Sequence, residues 1–127
     1  MRTIFFGLAF IVSIGMSAQS QAIQPDEMPE FPGGSDAMMK FVSSNLKIPA
    51  STKDSTFNWC KALITFTIDA DGSVKYPVLV RPCLGCQDCD REAIRVIEMM
   101  PKWKPGKKDG KAIPVAQALP IFFTRKP

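Results

Sequence analysis

The residues around Asp71-Gly72 constrain the fold of this 127-residue chain more than any other stretch. Ahead of that pair, Ala62, Ile64, Phe66 and Ile68 alternate with Lys61, Leu63, Thr65 and Thr67. Behind it, Val74, Tyr76, Val78 and Val80 alternate with Lys75, Pro77, Leu79 and Arg81. A period of two marks half-buried strands, and a short glycine-containing loop between two such runs marks a hairpin. Both apolar sets fall on even numbers, and paired residues point to one face, so even must pair with even. Pairing Asp69 with Ser73 satisfies that parity. It leaves the loop Ala70-Asp71-Gly72 with glycine third, where a three-residue hairpin needs a positive φ. The same register carried outward sets Cys60 opposite Pro82 and so close to Cys83.

Helical periodicity brackets the hairpin. After Gly33-Gly34, Ser35 is an N-cap for a helix whose apolar positions are Met38, Phe41, Val42 and Leu46, with Pro49 as its stop. Asp90 is expected to cap a second helix, with Glu92 in the first turn and Ala93, Ile94, Val96, Ile97 and Met100 forming an apolar stripe that ends at Pro101. Trp103 then reads as a lid on the core. The last strand runs from Ala112 to Thr124 and holds Pro114 and Pro120, both even. Alternate residues of a strand send their N–H groups to the same side, so both missing donors lie along one edge, which suits a strand with a free side. The order helix, hairpin, helix, strand defines an α+β fold, a three-stranded antiparallel sheet packed with two helices.

The N-terminal stretch stands apart from this pattern. Arg2 precedes an apolar run from Ile4 to Met16, and the small polar residues to Ala22 follow, which is the order of a secretory signal cleaved after Ala22 or Ala18. As a helix the run would span about 20 Å, short of the ~30 Å hydrocarbon core. The expected organisation is therefore a signal over 1–22, a proline-stiffened lead-in over 23–32, and one domain over 33–127.

Composition narrows the chemistry. With 16 Lys+Arg against 12 Asp+Glu the net charge is only +4, too weak a field to argue for nucleic acid. The cluster Lys102, Lys104, Lys107, Lys108 and Lys111 reads as a solvated turn. Histidine is absent, which removes the commonest general base. No nucleophile has an evident base and no carboxylates pair, so neither an enzyme nor a site for a small-molecule substrate is expected.

Four cysteines remain: Cys60, Cys83, Cys86 and Cys89. Export and an even count favour two disulfides, one from Cys60 to the 83–89 loop and one inside that loop, with connectivity open among three pairings. The x2 spacings also suit a tetrahedral zinc site on the same four residues, in which case zinc would be the one cofactor. A thiol redox switch is a third reading, opposed by the flanking charges of Asp88 and Asp90, which raise a thiol pKa.

Several runs together resemble the TonB C-terminal domain family in its Bacteroidetes-type form. They are Glu30-Phe31-Pro32-Gly33-Gly34, Asn45-Leu46-Lys47-Ile48-Pro49, Ile68-Asp69-Ala70-Asp71-Gly72-Ser73-Val74, Glu92-Ala93-Ile94-Arg95-Val96, Met100-Pro101-Lys102-Trp103-Lys104-Pro105-Gly106, Gly110-Lys111 and Leu119-Pro120-Ile121-Phe122-Phe123. The resemblance implies a periplasmic, non-enzymatic domain that pairs its final strand with the TonB box of an outer-membrane transporter. Carried onto this chain, the partner-binding positions are Ala112, Ile113, Val115, Ala116, Gln117, Ala118, Leu119, Ile121, Phe122 and Phe123. Cys60 stands where the family pattern more often has glycine. The short apolar run and the ten-residue lead-in differ from the membrane helix and long span of a complete transducer, so a free periplasmic adaptor, decoy or modulator, or a domain reused for another binding task, is expected. A metal-binding or redox-responsive module built on the four cysteines is the alternative.

Overall fold

The computed structural model describes residues 24–54 and 56–125; the expected signal over 1–22 lies outside them. Helix α1 (Gly34–Asn45) and a 3-10 turn (Ala50–Lys53) lead into β1 (Trp59–Ile68) and β2 (Val74–Arg81). Helix α2 (Gln87–Glu98), a ribbon of β3 (Gly106–Lys108) and β4 (Lys111–Ile113), and β5 (Val115–Thr124) complete the chain. The main sheet has the order β2-β1-β5 and is antiparallel throughout. The fold is α+β, two helices on a three-stranded sheet.

The turn forms as its chemistry requires. Asp69 N–H donates to Ser73 O at 2.9 Å, Gly72 N–H to Asp69 O at 2.8 Å, and Gly72 has φ 89°. A second constraint acts on the same glycine, because a Cβ there would lie far inside contact with the Trp103 carbonyl oxygen. Trp103 N–H in turn donates to Gly72 O at 2.8 Å, which docks the hairpin tip onto the 100–104 segment.

Farther from the turn the expected alternation fails on β2. Ile68 pairs with Val74 and Thr67 with Lys75, but Thr65 pairs with Val78 and Leu63 with Arg81. β2 carries an extra residue at each of two irregularities, the first at Tyr76, whose φ of 56° is left-handed. An inserted residue reverses the parity of everything beyond it. Leu79, expected to face outward, therefore packs on the core, while Tyr76, Val78 and Val80 are exposed. On β1 the alternation holds, with Cys60, Ala62, Ile64, Phe66 and Ile68 buried.

Both helices begin earlier than their expected caps. Gly33, at φ 88°, takes the N-cap place of α1, and a Cβ on it would meet Ala37 Cβ at 2.8 Å. α1 contributes only partly buried residues, among them Met38, Phe41 and Val42. Cys86 caps α2 in place of Asp90. The Asp90 carboxylate reaches back to accept the Cys83 N–H at 2.7 Å, an anchor that removes it from the capping position. Ala93, Val96 and Ile97 on α2 are buried, and the helix packs on β2 and β1.

The last strand is shorter than expected. The chain breaks pairing at Pro114, so Ala112 and Ile113 lie in the small ribbon opposite Lys107 and Gly106, and β5 begins at Val115. Residues ahead of α1 run along that ribbon. Glu27 bridges to Lys107 and Glu30 to Lys104, which directs Phe31 into the core.

Candidate functional site

β5 pairs with β1 over ten consecutive residues, from Trp59 opposite Thr124 to Ile68 opposite Val115, with no irregularity. Among the described residues it has no strand on its other side. Within the ladder Pro120 stands opposite Leu63. A proline inside an uninterrupted ladder must have its missing donor on the side away from the partner strand. Alternate N–H groups share a side, so Ala116, Ala118 and Phe122 direct their donors to the same free edge as Pro120. That edge offers a peptide a ladder with one rung missing.

The two faces of β5 differ. Ile121 and Phe123 are buried and Gln117 and Leu119 are half-buried on the inner face, whereas Ala116, Ala118, Pro120 and Phe122 are exposed. On the outer face Phe122 lies 6.5 Å from Trp59 between ring centroids, and Lys61 Nζ is 5.9 Å from its ring centre. On the inner side a cavity of about 290 Å³ opens between β5 and the start of α1, lined by Phe31, Ser35, Met38, Trp103, Gln117 and Leu119 among others. Trp103 packs edge-on against Phe31 and Phe66 at 5.7 and 5.8 Å, as a lid should. Its Nε1–H is buried and has no hydrogen-bond partner among the described residues.

Of the sequence-derived positions, Val115, Ala116, Gln117, Ala118, Leu119, Ile121, Phe122 and Phe123 share β5, whereas Ala112 and Ile113 sit in the ribbon. Met38 and Ser35 were not expected at the site. Their i, i+3 spacing was the available signal, but it does not say which strand the helix approaches.

The cysteines form a second locus at the opposite end of β1. Cys60 is bonded to Cys83 and Cys86 to Cys89, one bridge joining β1 to the loop after β2 and one at the start of α2. The sulfurs of Cys60, Cys83 and Cys89 lie within 4.8 Å of one another and are buried. That is a metal-donor set only when both bridges are reduced, since zinc takes thiolates.

A third junction holds the helices together. Glu92 accepts from the Lys47 N–H at 2.6 Å and from Arg95 at 2.7 and 2.8 Å, and Arg95 also donates to Asn45 O at 2.8 Å. The Arg95 hydrogen bonds hold the Glu92 carboxyl below its ordinary pKa, helped by the Lys47 N–H.

Among the described residues the three-stranded sheet has β2 and β5 as its edges, and β5 has a groove beside it, an arrangement that suits a protein-interaction domain. The sequence pattern described as Gram-negative bacterial TonB protein C-terminal matches residues 59–124, just over half of the chain, and the chain belongs to that family. Among solved structures it is similar to the solution structure of the Helicobacter pylori TonB C-terminal domain (residues 194–285), at 21% identity and a TM-score of 0.51. That match covers 72% of this chain and 94% of the other and bears on the fold. No curated protein matches the chain. Among the described residues no helix is long and apolar enough to cross a membrane.

Proposed function

We propose that this protein works in the periplasm as a non-enzymatic adaptor that binds an extended segment of an envelope partner, such as the TonB box of an outer-membrane transporter, by adding it as a strand to the free edge of β5. The open edge of β5 carries this reading. Unpaired N–H and C=O groups there are a template for main-chain pairing, and flanking pockets supply selectivity. Alternate side chains of an added strand would fall beside Phe122 on the outer face and into the groove lined by Met38, Trp103 and Leu119 on the inner face. Pro120 shortens the template, and the donors of Ala116, Ala118 and Phe122 set the phase in which a partner binds.

The test is a titration of the labelled protein with a peptide from the N-terminal region of an outer-membrane transporter, followed by backbone amide shifts. Perturbation concentrated in 115–124, with further shifts around Met38 and the Trp103 indole N–H, is expected. Unchanged amides over 112–124 at millimolar peptide would overturn the proposal.

A further inference from the structure

The cysteine cluster has more structure than a staple needs. The Cys60–Cys83 bridge closes a long loop and ties the two hairpin strands together. The Cys86–Cys89 bridge spans two intervening residues, so it constrains little chain and adds little to the fold. Its position is chemically specific. Cys86 is the N-cap of α2, and Cys89 lies in the first turn and donates its N–H to Cys86 Sγ at 3.1 Å. Backbone N–H groups at a helix start stabilise a thiolate, and a C-x-x-C pair placed there is the arrangement in which a disulfide exchanges readily.

The two carboxylates that oppose a thiolate line the same depression as Cys86, and each has a partner there. Asp88 is paired with Arg91, and Asp90 accepts the Cys83 N–H at 2.7 Å. Ser51 Oγ lies 3.5 Å from Cys86 Sγ and can donate to it. Cys86 and Cys83, each 3% exposed, both line an open depression of about 540 Å³ whose wall also includes Ser51, Asp88 and Asp90, whereas Cys89, at 0%, is not part of that wall. Cys89 is fully buried, and its sulfur lies within 4.8 Å of those of both Cys60 and Cys83.

We propose that Cys86–Cys89 is a thiol–disulfide exchange site for a dithiol of a partner protein, with Cys86 as the sulfur attacked and Cys89 as the link to the Cys60–Cys83 bridge. A thiolate of the partner dithiol attacks Cys86 Sγ from the depression. The Cys86–Cys89 bond breaks, its electron pair leaves on Cys89, and a mixed disulfide joins the partner to Cys86. The partner's second thiolate then attacks its own sulfur in that mixed disulfide and releases Cys86. The net change oxidises the partner dithiol to a disulfide and reduces Cys86 and Cys89 to thiols, which take up the two protons lost by the partner. In its thiolate form Cys89 can attack the Cys83 sulfur, forming Cys83–Cys89 and leaving Cys60 as the thiolate, an isomerisation with no net electron change.

Dithiothreitol serves as the probe dithiol. The purified chain is equilibrated in graded mixtures of reduced and oxidised dithiothreitol, quenched with an alkylating reagent and mapped by peptide mass. Joint labelling of Cys86 with Cys89 while Cys60–Cys83 is intact, or of Cys86 with Cys60 while a Cys83–Cys89 bridge is present, is expected with the fold native by circular dichroism. Loss of both bridges together, or labelling of Cys60 with Cys83 while Cys86–Cys89 is intact, overturns the proposal. Two variants test the roles of the sulfurs. Cys89→Ser leaves Cys86 facing the depression and should react with an aromatic disulfide reagent at least about tenfold faster than Cys86→Ser, in which Cys89 is buried. Equal or reversed rates in folded variants overturn the assignment, and the mapping of the unsubstituted chain decides the proposal if either variant fails to fold. Peptide binding at β5 is measured separately, so failure of one reading leaves the other standing.

Discussion

At the scale of single residues, the family motifs are explained by where they meet. Asn45 and Lys47 contact Glu92 and Arg95 across the helix junction, Glu30 pairs with Lys104 by two backbone bonds, and Gly72 holds Trp103. Gly72→Ala combines a positive φ with a collision against the Trp103 carbonyl. It should lower stability by at least about 2 kcal/mol, read as a drop of roughly 10 °C or more in thermal midpoint. Glu92 gives a pH-dependent counterpart. Its carboxyl is held below the usual value of 4.5, so its contribution is present above that pH and disappears as pH falls through the lower folded value. Thermal melts of Glu92→Gln and the unsubstituted chain should differ at pH 7 and converge at low pH. The turn glycine was readable in the sequence because φ is a local demand. The Glu92 junction was not, because nothing in the spacing of either motif names its partner.

At the scale of elements, β1 and β5 behave as period-two strands and β2 does not, for a local reason that the alternation concealed. Tyr76-Pro77 reads as strand by pattern, yet proline supplies no donor and Tyr76 takes a left-handed backbone, so the ladder slips and the face reverses. β5 offers a parity test of the free edge. Ala118→Pro removes a donor that faces outward, whereas Leu119→Pro removes one that pairs with β1. The first should weaken peptide binding about 2- to 12-fold, the equivalent of one hydrogen bond at about 0.5–1.5 kcal/mol, with a near-native thermal midpoint. The second should destabilise the whole sheet, and paired binding and melting measurements separate them. The expectation of one strand over Ala112–Thr124 was half right because Pro114 ends the ribbon just where β5 must begin.

At the scale of the whole molecule, a small core is supplemented by covalent ties. The Cys60–Cys83 bridge has a sequence separation of 23, and replacing both partners by serine should cost about 3 kcal/mol in denaturant unfolding. Replacing Cys86 and Cys89, whose sequence separation is 3, should cost about 2 kcal/mol or less on the same chain-entropy argument. The pairing pattern was one of three allowed by counting, and the proximity of Cys60 to Cys83 followed from the hairpin even though its outer register slipped.

The unbroken β1–β5 ladder has a mechanical meaning as well. A strand added to β5 and pulled along its axis would load that ladder lengthwise, so that its hydrogen bonds share the force and must yield together instead of opening one by one. The Cys60–Cys83 bridge passes part of the same load from β1 to the loop after β2. Under such a load the domain would keep β5 best when the tension runs parallel to its strands, and would lose it most easily when pulled across them.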